Sequence, residues 1–390
     1  MGLLEERFGF HFWLVVGSCF LGFLGIGAII PVLAPHVRQT LGESDVTLGV
    51  VVGVFSLVAL MSRFLSGRVV IRYGRKYGLL LGLALCSAAG VIYLIPAGIH
   101  AIFLGRVVHG LGEAFLYTGA ASWIVDLGGP SRRARALAFL STGIWGGVSL
   151  GPVVGQALGK FHSAAALLVI TPLLAIAALW HVRDMPVAAS PAGPHRWIPR
   201  GALLPGLALG FTNVHYPTLA GFLVLHLAGR SNCGGTAFAA YAFMVLTSRF
   251  FLGGLPDRLS PKVTFFGGLA LMAAGLSLIA LAPPAPVAIA AGALIGFGFG
   301  FPWPSMASFV LEKSSDHERP SALGVMSACV DGFVGVSSMA AGAVAARYGY
   351  PSIYLMALLA LGVAAVLGQR VFEEPPEPSV DTSPLLATQR

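Results

Sequence analysis

The sequence predicts an all-α membrane protein of twelve transmembrane helices, arranged as two parallel six-helix bundles. Three observations carry that prediction. Of the 390 residues, 56% are apolar and only 10% are charged, whereas a soluble domain carries about 25% charged residues. Lipid is therefore the solvent for most of the surface. Apolar runs long enough to span a bilayer as a helix, about 20 residues each, occur twelve times. The chain also repeats itself. Ser248-Arg249-Phe250-Phe251-Leu252-Gly253 copies Ser62-Arg63-Phe64-Leu65-Ser66-Gly67 at an offset of 186 residues, and at the same offset Pro217 copies Pro31, Gly296 and Gly298 copy Gly110 and Gly112, and Arg319 copies Arg133. One constant offset over that span means two bundles with the same order of helices, a parallel internal repeat.

The runs follow in order. The first, 11–34, is too long for a signal peptide and lacks a small-residue cleavage site, so it reads as a retained helix. The second, 46–66, leads into a short basic turn ending at Lys76, and the third and fourth occupy 77–97 and 100–122. The fifth, 136–159, carries glycine every fourth residue at Gly143, Gly147, Gly151, Gly155 and Gly159, a smooth ridge that lets a neighbouring backbone approach closely. Pro152 within it removes one backbone hydrogen bond. The sixth, 164–182, closes an N-terminal bundle over 1–182. Residues 183–200, rich in Pro, Ala and basic side chains, read as a linker. The second bundle, 201–372, holds runs at 201–227, 235–254, 263–282, 287–310, 321–345 and 350–371. The tail, 373–390, is Pro-rich and acidic at its start and reads as disordered; Asp381 to Leu386 has the form of an acidic dileucine sorting signal.

The formal net charge is +8, but the basic residues sit in short turns between runs and not on one face, which argues against nucleic acid as a partner. Arg38, Lys160, Arg230 and Arg347 fall on one side of the membrane and Arg63, Arg106 and Arg249 within runs. Every other Lys and Arg falls on the opposite side, which places both termini in the cytosol by the positive-inside rule. Cys19, Cys86, Cys233 and Cys329 are scattered, with no metal or disulfide spacing. No nucleotide-binding loop is present, so no cofactor or metal is expected.

Four motifs then resemble one family. Gly67-x-x-x-Ile71-Arg72-x-Gly74-Arg75-Lys76 is similar to the cytosolic loop motif of the major facilitator superfamily, and Gly253-x-x-x-Asp257-Arg258 to its second copy. Arg106-x-x-x-Gly110-x-Gly112 resembles the fourth-helix motif, and Gly147-x-x-x-Gly151-Pro152-x-x-Gly155 the fifth-helix motif of the antiporter branch. The resemblance covers nearly the whole chain and is nearest to bacterial drug and sugar-efflux permeases. It implies a monomeric multi-pass protein of the bacterial inner membrane that works by alternating access on a small-molecule substrate, with proton-coupled efflux of an amphiphilic organic compound as the expected activity. Ile71 replaces the family's usual acid, so the cytosolic gate, expected from Gly67, Arg72, Gly74, Arg75, Asp257 and Arg258, needs another carboxylate, for which Asp126 is the candidate with Arg72, Arg75 or Arg133.

Buried ionisable groups cost on the order of 2.5–3.5 kcal/mol at mid-membrane, and the repeat tells which of them the fold does not require. Arg106, His109 and Glu113 face Gly292, Ile295 and Phe299 in the other copy; Asp331 faces Trp145; Asn213, His215 and Tyr216 face Gly27, Ile29 and Ile30. These asymmetric positions are the candidate site: Glu113 and Asp331 as proton carriers, and Arg106, His109, Asn213, His215 and Tyr216 as substrate contacts. Phe299 and Trp303 add an aromatic wall. Against each stands a plainer reading: a fixed Glu113–Arg106 ion pair, a carboxylate bonded to backbone, hydrogen-bonded structural histidines, simple ring packing. Arg63 and Arg249 read as snorkelling residues near helix ends. The glycine ridge reads as helix packing or as a sliding surface between the halves. Arg106 and the histidines also fit an importer of an anionic metabolite. A non-transporting receptor with the same fold would have an apolar cavity, and no nucleophile, base and orienting group stand at enzyme spacing.

Overall fold

The computed structural model describes residues 8–129, 132–182, 200–229, 231–252, 259–314 and 319–373. The linker expected over 183–200 (all but its last residue), the tail beyond 373, Gly253, Asp257 and Arg258 lie outside the described residues.

Every described element is a helix or a short connection. The first bundle comprises α1 (Phe10–Pro35), α2 (Asp45–Tyr73), α3 (Arg75–Leu94), α4 (Gly98–Gly128), α5 (Arg133–Leu158) and α6 (Phe161–Leu179). The second comprises α7 (Arg200–Thr212) and α8 (His215–Ala228), which together make one span, then α9 (Gly234–Leu252), α10 (Pro261–Ala280), α11 (Ala285–Phe299) and α12 (Pro302–Lys313), again one span, α13 (Arg319–Tyr348) and α14 (Tyr350–Glu373). The offset of 186 carries α3 onto α10 at both ends and each other helix onto its partner to within about eight residues at either end. Twelve spans return the chain to its starting side, so both termini lie at one end of the molecule.

The halves differ in continuity. α1, which ends in a π-helical turn (His36–Thr40), and α4 are unbroken, whereas their counterparts are interrupted between Thr212 and His215 and between Phe299 and Pro302. A broken helix in lipid frees carbonyls that must be satisfied internally, and at the first break Thr212 O accepts from His215 Nδ1 at 2.8 Å. Asn213 Nδ2 also donates to Leu209 O, Thr212 Oγ1 to Ala208 O and Ser305 Oγ to Phe301 O, each at 2.8 Å, back onto carbonyls of the preceding turn.

The turn between α2 and α3 depends on Gly74, whose φ of 103° lies where a Cβ is strained. The glycine ridge of α5 packs on α1 of its own half. A Cβ at Gly151 would stand 2.7 Å from the Gly27 backbone, and one at Gly147 2.7 Å from Leu24 N, while Gly155 abuts Ala28. The ridge is therefore no sliding surface between the halves. Close backbone contact between the halves is made by α2 and α13, where a Cβ at Gly49 would come within 2.6 Å of Ser338 O and one at Gly53 within 2.5 Å of Gly335 O. Large apolar side chains such as Met61, Leu359 and Val336 remain 79%, 75% and 62% exposed, as a lipid-facing surface requires.

Candidate transport site

Two seams join the halves, α2 against α13 and α5 against α9, related by the repeat. Away from the termini both are tied. Tyr350 OH donates to Asp45 Oδ1 at 3.0 Å, and Arg38 Nε pairs with Asp45 at 2.8 Å. Ser338 Oγ donates to Gly49 O at 3.0 Å. In the second seam Ser149 Oγ donates to Ala242 O at 2.6 Å and Gln156 Nε2 to Thr236 Oγ1 at 3.3 Å. A cleft of 490 Å³ opens on that far face, and its lining, which includes His36, Lys160 and His162, holds no carboxylate among the described residues.

Nearer the termini each seam carries an arginine, and their surroundings diverge. In the first, Arg63 Nη2 pairs with Asp331 Oδ2 at 2.7 Å, with Nε at 2.8 Å from the same oxygen, so the bond joins the two halves. Arg63 also stands 5.0 Å above the Tyr117 ring, and half-buried Glu113 lies close enough for its charge to act on both Arg63 and Asp331. In the second, Arg249 stands 4.0 Å from the Trp145 ring and 5.8 Å from Phe299. Position by position at the offset of 186, Arg63, Glu113, Tyr117 and Asp331 become Arg249, Phe299, Trp303 and Trp145. One seam is acidic; the other is aromatic.

The seam of α5 and α9, tied at Ser149, widens towards the termini into a cavity of 390 Å³ lined by Arg135, Ser141, Thr142, Trp145, Arg249 and Trp303 among others. Its volume lies within the range of about 300–1,000 Å³ usual for small-molecule sites.

Several expected contacts lie elsewhere. Arg106 is 7% exposed and donates to Val51 O at 3.0 Å and Val52 O at 3.1 Å, with Phe55 4.4 Å away. It binds α4 to α2 and is not ion-paired with Glu113; Tyr216 stands within reach of its charge. His109 is fully buried in the first half, 3.4 Å from Tyr93 OH. His215 Nδ1 donates to Thr212 O at 2.8 Å, so Nε2 is the acceptor for Tyr241 OH at 3.1 Å. Asn213 and His215 serve the break between α7 and α8, their side-chain nitrogens being spent on backbone and tyrosine partners, whereas His109 Nε2 is buried without a hydrogen-bond partner among the described residues. Phe299 packs between His215 (4.8 Å) and Trp145 (6.1 Å).

At the terminal end, Asp126 pairs with Arg75, joining α3 to α4 within one half. Arg72 is exposed over Tyr73, and a Cβ at Gly67 would meet open space. Among the described residues, none of these makes a bond to the other half.

Arg63 is the residue that sequence reasoning missed. Its run continues as helix to Tyr73, so it lies well inside the span and not within a turn of the end, where snorkelling would serve it. The available signal was that Arg63 and Asp331 are both ionisable at membrane depth and needed partners.

Twelve spans in two repeated bundles around such seams define a multi-pass membrane transporter, not an enzyme. The Major Facilitator Superfamily profile matches residues 15–228 and again 201–388, and the chain belongs to that superfamily. It is 26% identical over 369 residues to an uncharacterised MFS-type transporter of Salmonella typhimurium, covering 92% of this chain and 94% of the relative. A similar transporter of Burkholderia mallei is 27% identical over 373 residues, covering 92% and 91%. Among solved structures, a mutant form of the nucleoside transporter NupG superposes with a TM-score of 0.78 at 15% identity, covering 93% of this chain and all of that one.

Proposed function

We propose that the protein is a proton-coupled antiporter of the bacterial inner membrane, with cytosolic termini, that expels a small amphiphilic organic compound by alternating access. The observation that carries the coupling is the Arg63–Asp331 bond across the halves with Glu113 beside it, at a depth where the other seam has only rings. Charged, Asp331 draws α13 to α2. A proton on Asp331 or Glu113 weakens that attraction, so proton load and seam geometry depend on one another. One proton driven by 100 mV supplies about 2.3 kcal/mol, enough for roughly a fifty-fold substrate gradient. The exporter direction rests on the likeness of the α5 glycine-proline motif to that of antiporters. The second reading is import of an anion with protons, and the guanidinium of Arg249, with no ion pair among the described residues, favours it.

The test uses purified protein in liposomes and a cargo found by thermal shift against drugs, sugars, siderophores and organic acids at two pH values. Antiport fills vesicles whose lumen is acid; proton-driven import fills vesicles whose outside is acid. Asp331→Asn is expected to abolish the pH-driven component while leaving cargo binding measurable. If pH-driven uptake survives that substitution unchanged, Asp331 is not the carrier.

A further inference from the structure

Arg249 lacks what its counterpart has. Arg63 satisfies its guanidinium on a carboxylate; at Arg249 the equivalent position is Trp145. Arg249 Nε is buried without a hydrogen-bond partner, and among the described residues no ion pair reaches the group. Among the described residues the ring faces of Trp145 and Phe299 stand against it, at 4.0 Å and 5.8 Å, with Tyr241 near enough to feel its charge. Ring faces attract a cation but give its N–H groups no acceptor, and a guanidinium drawn out of water calls for one that is planar and anionic.

The space for that acceptor exists. Arg249 lines the 390 Å³ cavity together with Trp145 and Trp303, indole rings from opposite halves, and with the hydroxyls of Ser141 and Thr142. The cavity lies in the seam that separates and closes during transport, so an occupant would contact both halves at once.

We propose that this cavity is the cargo site and that the cargo is an aromatic carboxylate. Its carboxylate pairs with Arg249 of the second half, as Asp331 pairs with Arg63, while its ring touches Trp145 of the first half, so the cargo bridges the two. Its ring lies against Trp145 and Trp303, and Ser141 donates to a polar substituent. Each seam then closes on an Arg–carboxylate pair, one built into the chain and one brought by the cargo. This inference rests on the transporter reading and names its substrate class; it does not depend on which way protons flow.

The experiment is equilibrium binding of 2-naphthoate to the full-length purified protein by calorimetry, with the neutral isostere 2-naphthamide and with hexanoate as comparisons. The acid is expected to bind at least about tenfold more tightly than either, since a charge-assisted bond and a stacked ring are both lost in the controls. Arg249→Gln should reduce its affinity about tenfold or more, Arg249→Lys by less, and Trp303→Ala should weaken the acid while sparing hexanoate. Thermal unfolding of each variant reports whether it is folded; should Arg249→Gln fail to fold, Arg249→Lys and Trp303→Ala carry the test. Equal binding of acid and amide, no binding of the acid, or parent-like affinity in the Arg249 and Trp303 variants overturns the proposal. Arg249-dependent binding with transport indifferent to pH would overturn the coupling reading and leave this site standing. Coupled transport of other compounds, without Arg249-dependent binding, would do the reverse.

Discussion

Buried polar side chains in a transporter are easily read as cargo ligands, and Arg106 shows how counting donors decides. Its guanidinium meets two carbonyls of α2 and the face of Phe55, so the charge is held within one half whatever the cargo does. Hydrogen bonds to charged groups are worth about 1.5–3 kcal/mol. Arg106→Gln is therefore expected to lower stability by roughly that amount, seen as a lower melting temperature, while the carboxylate affinity of folded protein stays within about twofold. A large loss of affinity without loss of stability would return Arg106 to the cargo site. The same counting removes Asn213 and His215; it leaves His109, whose Nε2 is buried without a partner among the described residues. Polarity present in one repeat and absent from the other picked them out, but that asymmetry has two causes. One is cargo or coupling, the role we propose for Glu113 and Asp331. The other is helix continuity: α7 and α8 are separated where α1 is whole, so His215 satisfies the Thr212 carbonyl and Asn213 back-bonds to Leu209 O at a break that Gly27 and Ile29 do not have. Nothing in the sequence pattern separates these causes until the break is located.

At the level of helices, glycine works differently in the two places where it lines a contact. On α5 it fixes α1 and α5 as one body. Between α2 and α13 it sits in the interface that must open, and Gly53 has no room for a side chain against the Gly335 carbonyl. Gly53→Val should push the far ends of these helices apart. Overpacking of this kind costs on the order of 1–2 kcal/mol, enough to move a two-state equilibrium about five- to thirtyfold. Maleimide labelling of a cysteine placed at Ser338 is expected to rise accordingly, and unchanged labelling would mean that the seam does not part there. The repeat located every helix and exposed the replacement of Asp331 by Trp145, because equivalent chain positions occupy equivalent depth. It did not disclose the Arg63–Asp331 bond, whose partners stand 268 residues apart. Nor did it disclose the α2–α13 glycines as an interface, since contacts between halves follow from how the bundles dock and not from the periodicity of either one.

For the molecule as a whole, the state described here is tied at the end away from the termini and widens towards them along the second seam. Alternating access demands that the ties at Asp45–Tyr350, Gly49–Ser338 and Gln156–Thr236 break in each cycle, since cargo held beside Arg249 has no other route between the halves to the far face. A short bismaleimide joining cysteines introduced at Gln156 and Thr236, in a background whose four native cysteines are replaced by serine or alanine, should hold that end shut. Transport in liposomes would then cease, yet 2-naphthoate should bind with near-parent affinity, because the cavity beside Arg249 is already open in this state. Either single-cysteine protein treated with the same reagent should transport normally. Continued transport by the crosslinked protein would show that the halves need not part along this seam. Loss of binding together with transport would place the cargo on the far side of the tie, away from Trp145 and Trp303.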